Sequence, residues 1–219
     1  MLSLAPDLRS ILEKAIINAR DTAENAARAF LAPLEITNDA PKVKLTPEAN
    51  RLRIALRAKA KQLGGDSRAR GLPLLVEQIA YEQWHRMLFA RFLAENNLLM
   101  HPELGVPVTL QECAELAPEY GEPDGWQLAA RFASEILPGI FRQDTILSLR
   151  GVHAERERPK QSPSAPQQSL FAREHQLALE KILENIPSAI FRSDDGLGWV
   201  YQFWQTKKKK EVNARPEQV

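Results

Sequence analysis

The stretch "LPLLVEQIAYEQWHRMLFARFLAENNLLM", residues 72–100, decides the architecture. At helical spacing its Leu75, Ile79, Trp84, Met87, Leu88, Phe89, Phe92 and Leu93 spread over most of the circumference instead of lining one stripe. A helix that is apolar on most sides is buried by other elements on several sides. The rest of the chain must supply those elements.

Upstream, from Pro6, the residues Leu8, Ile11, Leu12, Ala15, Ile16, Ala19, Ala23, Ala26, Ala27 and Phe30 recur at three and four. That spacing predicts a long amphipathic helix ending near Pro33. Thr46 before Pro47 fits an N-cap followed by the first helical position, and the helix it opens should run to Gly64-Gly65. Downstream, Thr109 with Glu112 reads as a capping box for a short helix through Leu116, and Asp124 can cap a helix from Trp126 to about Leu137, where Pro138-Gly139 interrupts.

Residues 154–169, AERERPKQSPSAPQQS, carry three prolines and no large apolar side chain. Such a stretch buries too little surface to offset ordering and reads as a linker or flexible loop. Helical period resumes from Leu170 to Leu183, and Asp194 or Asp195 is placed to cap a last helix. No repeat and no convincing strand is present. The expected class is all α, an irregular multi-helix domain over 1–153, the linker at 154–169, and a C-terminal helical segment over 170–219.

That last helix contains "LGWVYQFWQTKKKKEV", residues 197–212, in which Trp199, Val200, Tyr201, Phe203 and Trp204 precede four consecutive lysines. Leu197, Val200, Tyr201 and Trp204 share one face, while Trp199 and Phe203 step together on another. Two readings compete: a buried helix with a solvated basic end, or an aromatic surface on which bases stack. Apolar side chains on two faces favour burial. Lys207, Lys208, Lys209 and Lys210 sit toward the C-terminus of this helix, where cations complement the macrodipole.

Length and composition bound the function. The 219 residues, 44% hydrophobic, suffice for a core, and a net charge of +1 gives no global attraction to nucleic acid or acidic lipid. Any electrostatic function must be local. Between Glu48 and Arg70 seven basic residues face two acidic ones, a net +5: Arg51, Arg53, Arg57, Lys59, Lys61, Arg68 and Arg70 against Glu48 and Asp66. On a helix Arg53, Arg57 and Lys61 step by four and form a stripe that could neutralise DNA phosphates; the alternative is a solvated face.

Catalytic signatures are missing from the sequence. Cys113 is the single cysteine, so no intrachain disulfide or multi-thiolate zinc site can form, and a reducing, cytoplasmic setting fits. His85, His101, His153 and His175 are widely spaced, without HxxxH or HxxE pairing. No GxSxG elbow, phosphate loop or dinucleotide fingerprint occurs, and Gly196-Leu197-Gly198 reads as a helix start. The carboxylates Glu112, Glu115, Glu119, Glu122 and Asp124 read as an acidic surface and not as a nuclease metal site. No apolar run reaches the roughly 18–20 residues of a membrane span.

Three segments carry a resemblance: RIALRAKAKQLGG; YEQWHRMLFARFLAENNLLMHPELGVPVTLQECAELA; and DGWQLAARFASEILPGIF with the later DDGLGWVYQFWQTKKKKEVN. Together, over about 46–213, they resemble the N-terminal region of large adenine-specific DNA methyltransferases of the fused restriction-modification and phage-exclusion (BREX) type. The resemblance implies N6-adenine methylation of double-stranded DNA with S-adenosylmethionine as cofactor, the target base being flipped out. It also implies that the chemistry lies downstream: neither the glycine-rich cofactor loop nor the (Asn/Asp/Ser)-Pro-Pro-aromatic motif is found here. The expectation is therefore a helical module, from a fragment, split subunit or truncated product, that holds no cofactor itself, packs on the methylase catalytic domain, and contacts DNA through Arg51, Arg53, Arg57, Lys59, Lys61 and Lys207–Lys210. A free-standing helical interaction or scaffold protein is the alternative.

Overall fold

The structure, a computed structural model, describes residues 3–65, 67–137 and 170–213; at Arg68 and over 207–213 it describes the helical backbone alone. The fold is all α: α1 (Pro6–Leu31), α2 (Pro47–Leu63), α3 (Arg68–Glu95), α4 (Leu110–Leu116), α5 (Gly125–Ile136), α6 (Arg173–Glu184), α7 (Ser188–Phe191) and α8 (Gly196–Asn213). A single 3-10 turn, Ala32–Leu34, extends α1. Among the described residues there is no strand, only an isolated antiparallel bridge between Met100 and Pro107. The expected linker at 154–169 lies outside the described residues.

Helix starts follow local chemistry. The Thr46 hydroxyl accepts from the Ala49 N–H with Pro47 at the first helical position, and Asp124 accepts from the Gln127 N–H at 2.9 Å. Thr109 and Glu112 form the reciprocal capping box, each side chain accepting the other's backbone N–H. These satisfy donors that every helix start otherwise leaves open.

Helix α3 begins earlier than its apolar pattern suggests. Ser67 caps it at Arg70, and Pro73 is accommodated on the exposed side of the second turn. Gly71 makes this possible: a Cβ there would overlap the Ala60 carbonyl of α2, so the missing side chain sets how closely α2 and α3 cross.

Around α3 lie α1, α2, α5, α6 and α7. The larger core joins Leu12, Ile16, Leu56, Ile79, Leu179 and Trp204; a smaller one, at the far end of α3, joins Leu93, Leu99, Cys113, Leu128 and Phe132. Helices α6 and α8 thus complete the core built by α1 and α3. Polar side chains tie the joints: Arg91 donates to the Ile186 carbonyl at 2.7 Å, and Asn96 to that of Phe191 at 3.0 Å. Asp195 does not act through its side chain as a simple cap; its carboxylate accepts from the Leu4 N–H and the Trp199 indole, fastening α8 to the start of α1.

Most of the aromatic cluster 199–204 is core. Trp204 is 1% exposed and stacks on Trp84 with ring centroids 4.3 Å apart, while Val200 and Phe203 are buried beside it. Tyr201 departs from the expected buried face: it is 58% exposed.

Candidate nucleic-acid interface

The basic helix α2 does not present the stripe that its spacing suggests. Arg53 is 4% exposed; its Nε donates to the Leu34 carbonyl at 2.9 Å and its Nη2 to the carbonyls of Glu35 and Asn38. This corrects its assignment to a DNA-facing surface. The loop after α1 turns through Glu35 at positive φ and lays three carbonyls against α2, and a guanidinium, with five donors, is the side chain that can satisfy them. Arg57, one turn on, is mostly covered and pairs with Asp39 at 3.3 Å. The loop therefore occupies the Arg53–Arg57 side of the helix.

What α2 offers to solvent is a neighbouring ridge: Arg51, Ile54, Ala58 and Lys61, at spacings of three and four, with Lys59 half-buried at its edge. Arg51 also bonds Glu48 at 3.3 Å, a weak exposed pair. Lys42 and Lys44, in the loop before the Thr46 cap, are exposed too and were not singled out by helix periodicity, because they lie outside any helix. Lys207–Lys210 continue the helical backbone of α8.

A groove of about 440 Å³ opens where the end of α2, the second to fourth turns of α3 and the middle of α8 meet. Tyr81, Tyr201 and Trp204 give it aromatic walls, Leu63 and Leu74 apolar edges, and Glu77, Gln78 and Gln205 polar groups. Tyr81 lies edge-on to Trp204 at 5.6 Å. Burial, and secondarily the Tyr201 phenol, raise the pKa of Tyr81, which keeps its hydroxyl protonated and able to donate.

Beneath the groove, Arg20 of α1 is buried. It donates to Glu24 at 2.8 Å, to Glu77 at 3.5 Å and to the Trp204 carbonyl, with its guanidinium over the Trp204 ring. Glu24 in turn accepts from Arg28 at 3.1 Å. The charges of this cluster balance, so it anchors α8 to α1 without leaving an unpaired ion in the core.

Elsewhere, titratable groups are committed to structure. Glu112 belongs to the capping box; Asp124 caps α5 and accepts from Arg173 at 2.7 Å and Gln176 at 3.0 Å. Glu122 accepts from Arg131, and burial raises its pKa. The buried His101 accepts at Nδ1 from the backbone N–H groups of Glu103 and Leu104, which leaves Nε2 to donate to the Tyr120 hydroxyl at 2.9 Å. Cys113 is buried and its thiol is pushed up to about 12, far from nucleophilic. Among the described residues no group of three His, Cys, Asp or Glu side chains could hold a metal ion, and no helix is long and apolar enough to cross a membrane.

Comparison of the chain with protein-family models, with curated proteins and with solved structures finds no match.

Proposed function

We propose that this chain is a helical module of an adenine-specific DNA methyltransferase, one that packs on the catalytic domain and contacts DNA phosphates instead of carrying out methyl transfer. The observation that carries this reading is where the resembling segments meet. RIALRAKAKQLGG forms α2 and its terminal turn, crossing α3 at Ala60 and Gly71; YEQWH supplies Trp84, and GWVYQFW supplies the Trp204 that stacks on it. Segments far apart in sequence contribute to one core, which supports reading them together as a single module. Cofactor and target base, S-adenosylmethionine and adenine, would be held by the catalytic domain or subunit.

DNA contact rests on the ridge Arg51, Lys61 and the nearby Lys42 and Lys44, with Lys59 and the 207–210 run as further cations; Arg53 is excluded by its burial. A ridge of this kind binds without sequence preference, since phosphates carry no sequence information. The deciding experiment is a salt titration of binding to unrelated duplexes by the 219-residue chain. Binding that ignores sequence and falls steeply with salt is expected. Absence of binding at low salt removes the DNA role and leaves a scaffold, the second reading; methyl transfer from S-adenosylmethionine by this chain alone overturns the non-catalytic assignment.

A further inference from the structure

We infer that the groove between α2, α3 and α8 is a stacking site for an unpaired nucleobase, with Tyr201 as its platform. The inference deepens the DNA-contact reading above and rests on it: it specifies that the module grips single-stranded or locally opened DNA in addition to duplex phosphates.

Three observations converge. First, Tyr201 is the one aromatic of the 199–204 cluster that the core does not claim: at 58% exposed it stands on a wall of the groove, while Trp204 and Phe203 are buried. A large ring left in solvent beside other rings is the arrangement on which bases stack irrespective of sequence. Tyr81, with its protonated hydroxyl, forms part of the same surface. Second, the groove's size, about 440 Å³, lies within the roughly 300–1,000 Å³ of small-molecule sites. Of its polar groups, Gln78 already donates to Glu82 at 2.8 Å and Glu77 accepts from Arg20, so the Gln205 amide, a type that pairs with adenine, is the one to meet a base edge.

Third, the charge around the groove fits a polyanion. Arg70, one turn before the lining residue Leu74, is exposed, and the helical backbone of α8 runs on from Gln205 through Thr206 to Lys207–Lys210. The single carboxylate in the groove, Glu77, faces the buried Arg20. An aromatic surface with a guanidinium one turn away is complementary to a base joined to its phosphate; an acidic peptide would match the cation but leave the ring faces without a planar partner.

The test compares a fluorescein-labelled 15-nucleotide single strand with its duplex, at matched salt, on the full chain and on Tyr201→Ala, Tyr201→Leu and Tyr201→Phe. Circular dichroism checks folding, which this exposed site should leave intact, and a 2-aminopurine placed in the strand reports stacking directly. The single strand is expected to bind more tightly than the duplex. Tyr201→Ala and Tyr201→Leu should weaken it roughly 5- to 150-fold, the worth of one stacked base, with Tyr201→Phe near the parent and duplex affinity unmoved. Equal binding of both forms, indifferent to Tyr201, overturns the stacking site while duplex phosphate contact survives. Loss of stacking signal without change of affinity in the leucine variant also overturns it. Failure to bind any DNA overturns the DNA-contact reading along with it.

Discussion

The indole rings of Trp84 and Trp204 stack 4.3 Å apart and within 16° of parallel, joining the centre of α3 to α8 across 120 residues of sequence. Tyr81 meets Trp204 edge-on, Arg20 reaches its backbone carbonyl, and the groove opens on its outer side. The position of α8, and so of Tyr201 and the lysine run, depends on this stack.

Replacing either tryptophan by alanine should therefore destabilise the fold by about 3–5 kcal/mol, since each leaves a large cavity in a buried site. Chemical denaturation of the single and double variants gives the coupling between them, expected at about 0.5–1.5 kcal/mol beyond simple burial. Strict additivity would mean that the stack contributes only area.

The α2–α3 crossing gives a contrast between glycines. Gly71→Ala should destabilise by about 1–3 kcal/mol, because its Cβ would overlap the Ala60 carbonyl and the helices would have to separate. In α8, a Cβ at Gly198 meets nothing within 4 Å. Gly198→Ala should stabilise by up to about 1 kcal/mol through helix propensity. Equal effects at the two sites, measured by the same denaturation, would contradict the close crossing.

Arginines on neighbouring faces of α2 should behave oppositely. Arg53→Ala is expected to cost about 2 kcal/mol or more, because three backbone carbonyls lose a charged donor in a buried place, and to leave the salt slope of DNA binding unchanged. The pair Arg51→Ala and Lys61→Ala should leave stability within about 0.5 kcal/mol and lower that slope by about one for each phosphate no longer neutralised. A reversed pattern would return Arg53 to the DNA surface.

Acid sensitivity should trace in part to His85. Burial between Tyr81, 5.0 Å away, and Phe89, 4.9 Å away, lowers its pKa below the ordinary 6.5. The folded state then binds fewer protons than the unfolded one in the window below 6.5. Its contribution is present in full above that pH and is lost as pH falls through the lowered value. His85→Phe should flatten this part of the stability profile below pH 6.5, followed by denaturation at each pH. A proton titration of His85 by NMR should give a midpoint under 6.5; one at the ordinary 6.5 would show that the ring is solvated in the folded protein.

Much of the secondary structure was written locally. Thr46 with Pro47, Thr109 with Glu112, and Asp124 each fixed a helix start, because a cap and its unsatisfied N–H groups lie within three residues of each other. Likewise, the all-round apolar surface of 72–100 was enough to place this helix among several neighbours. The four-residue helix Ser188–Phe191 gave no such signal, being too short to show a period.

The surface was decided elsewhere. Periodicity placed Arg53 in a solvent-facing stripe, but carbonyls 15–19 residues upstream fold over it and draw its guanidinium inward. It placed Tyr201 with Val200 and Trp204, yet α1 and α3 cover only part of the circumference of α8 and leave that ring at a groove. A sequence specifies which side chains can be buried or charged at a given helical angle, because that depends on neighbours three and four residues away. Which of them meet water depends on which distant segments arrive to cover them, and that only the packed tertiary structure settles.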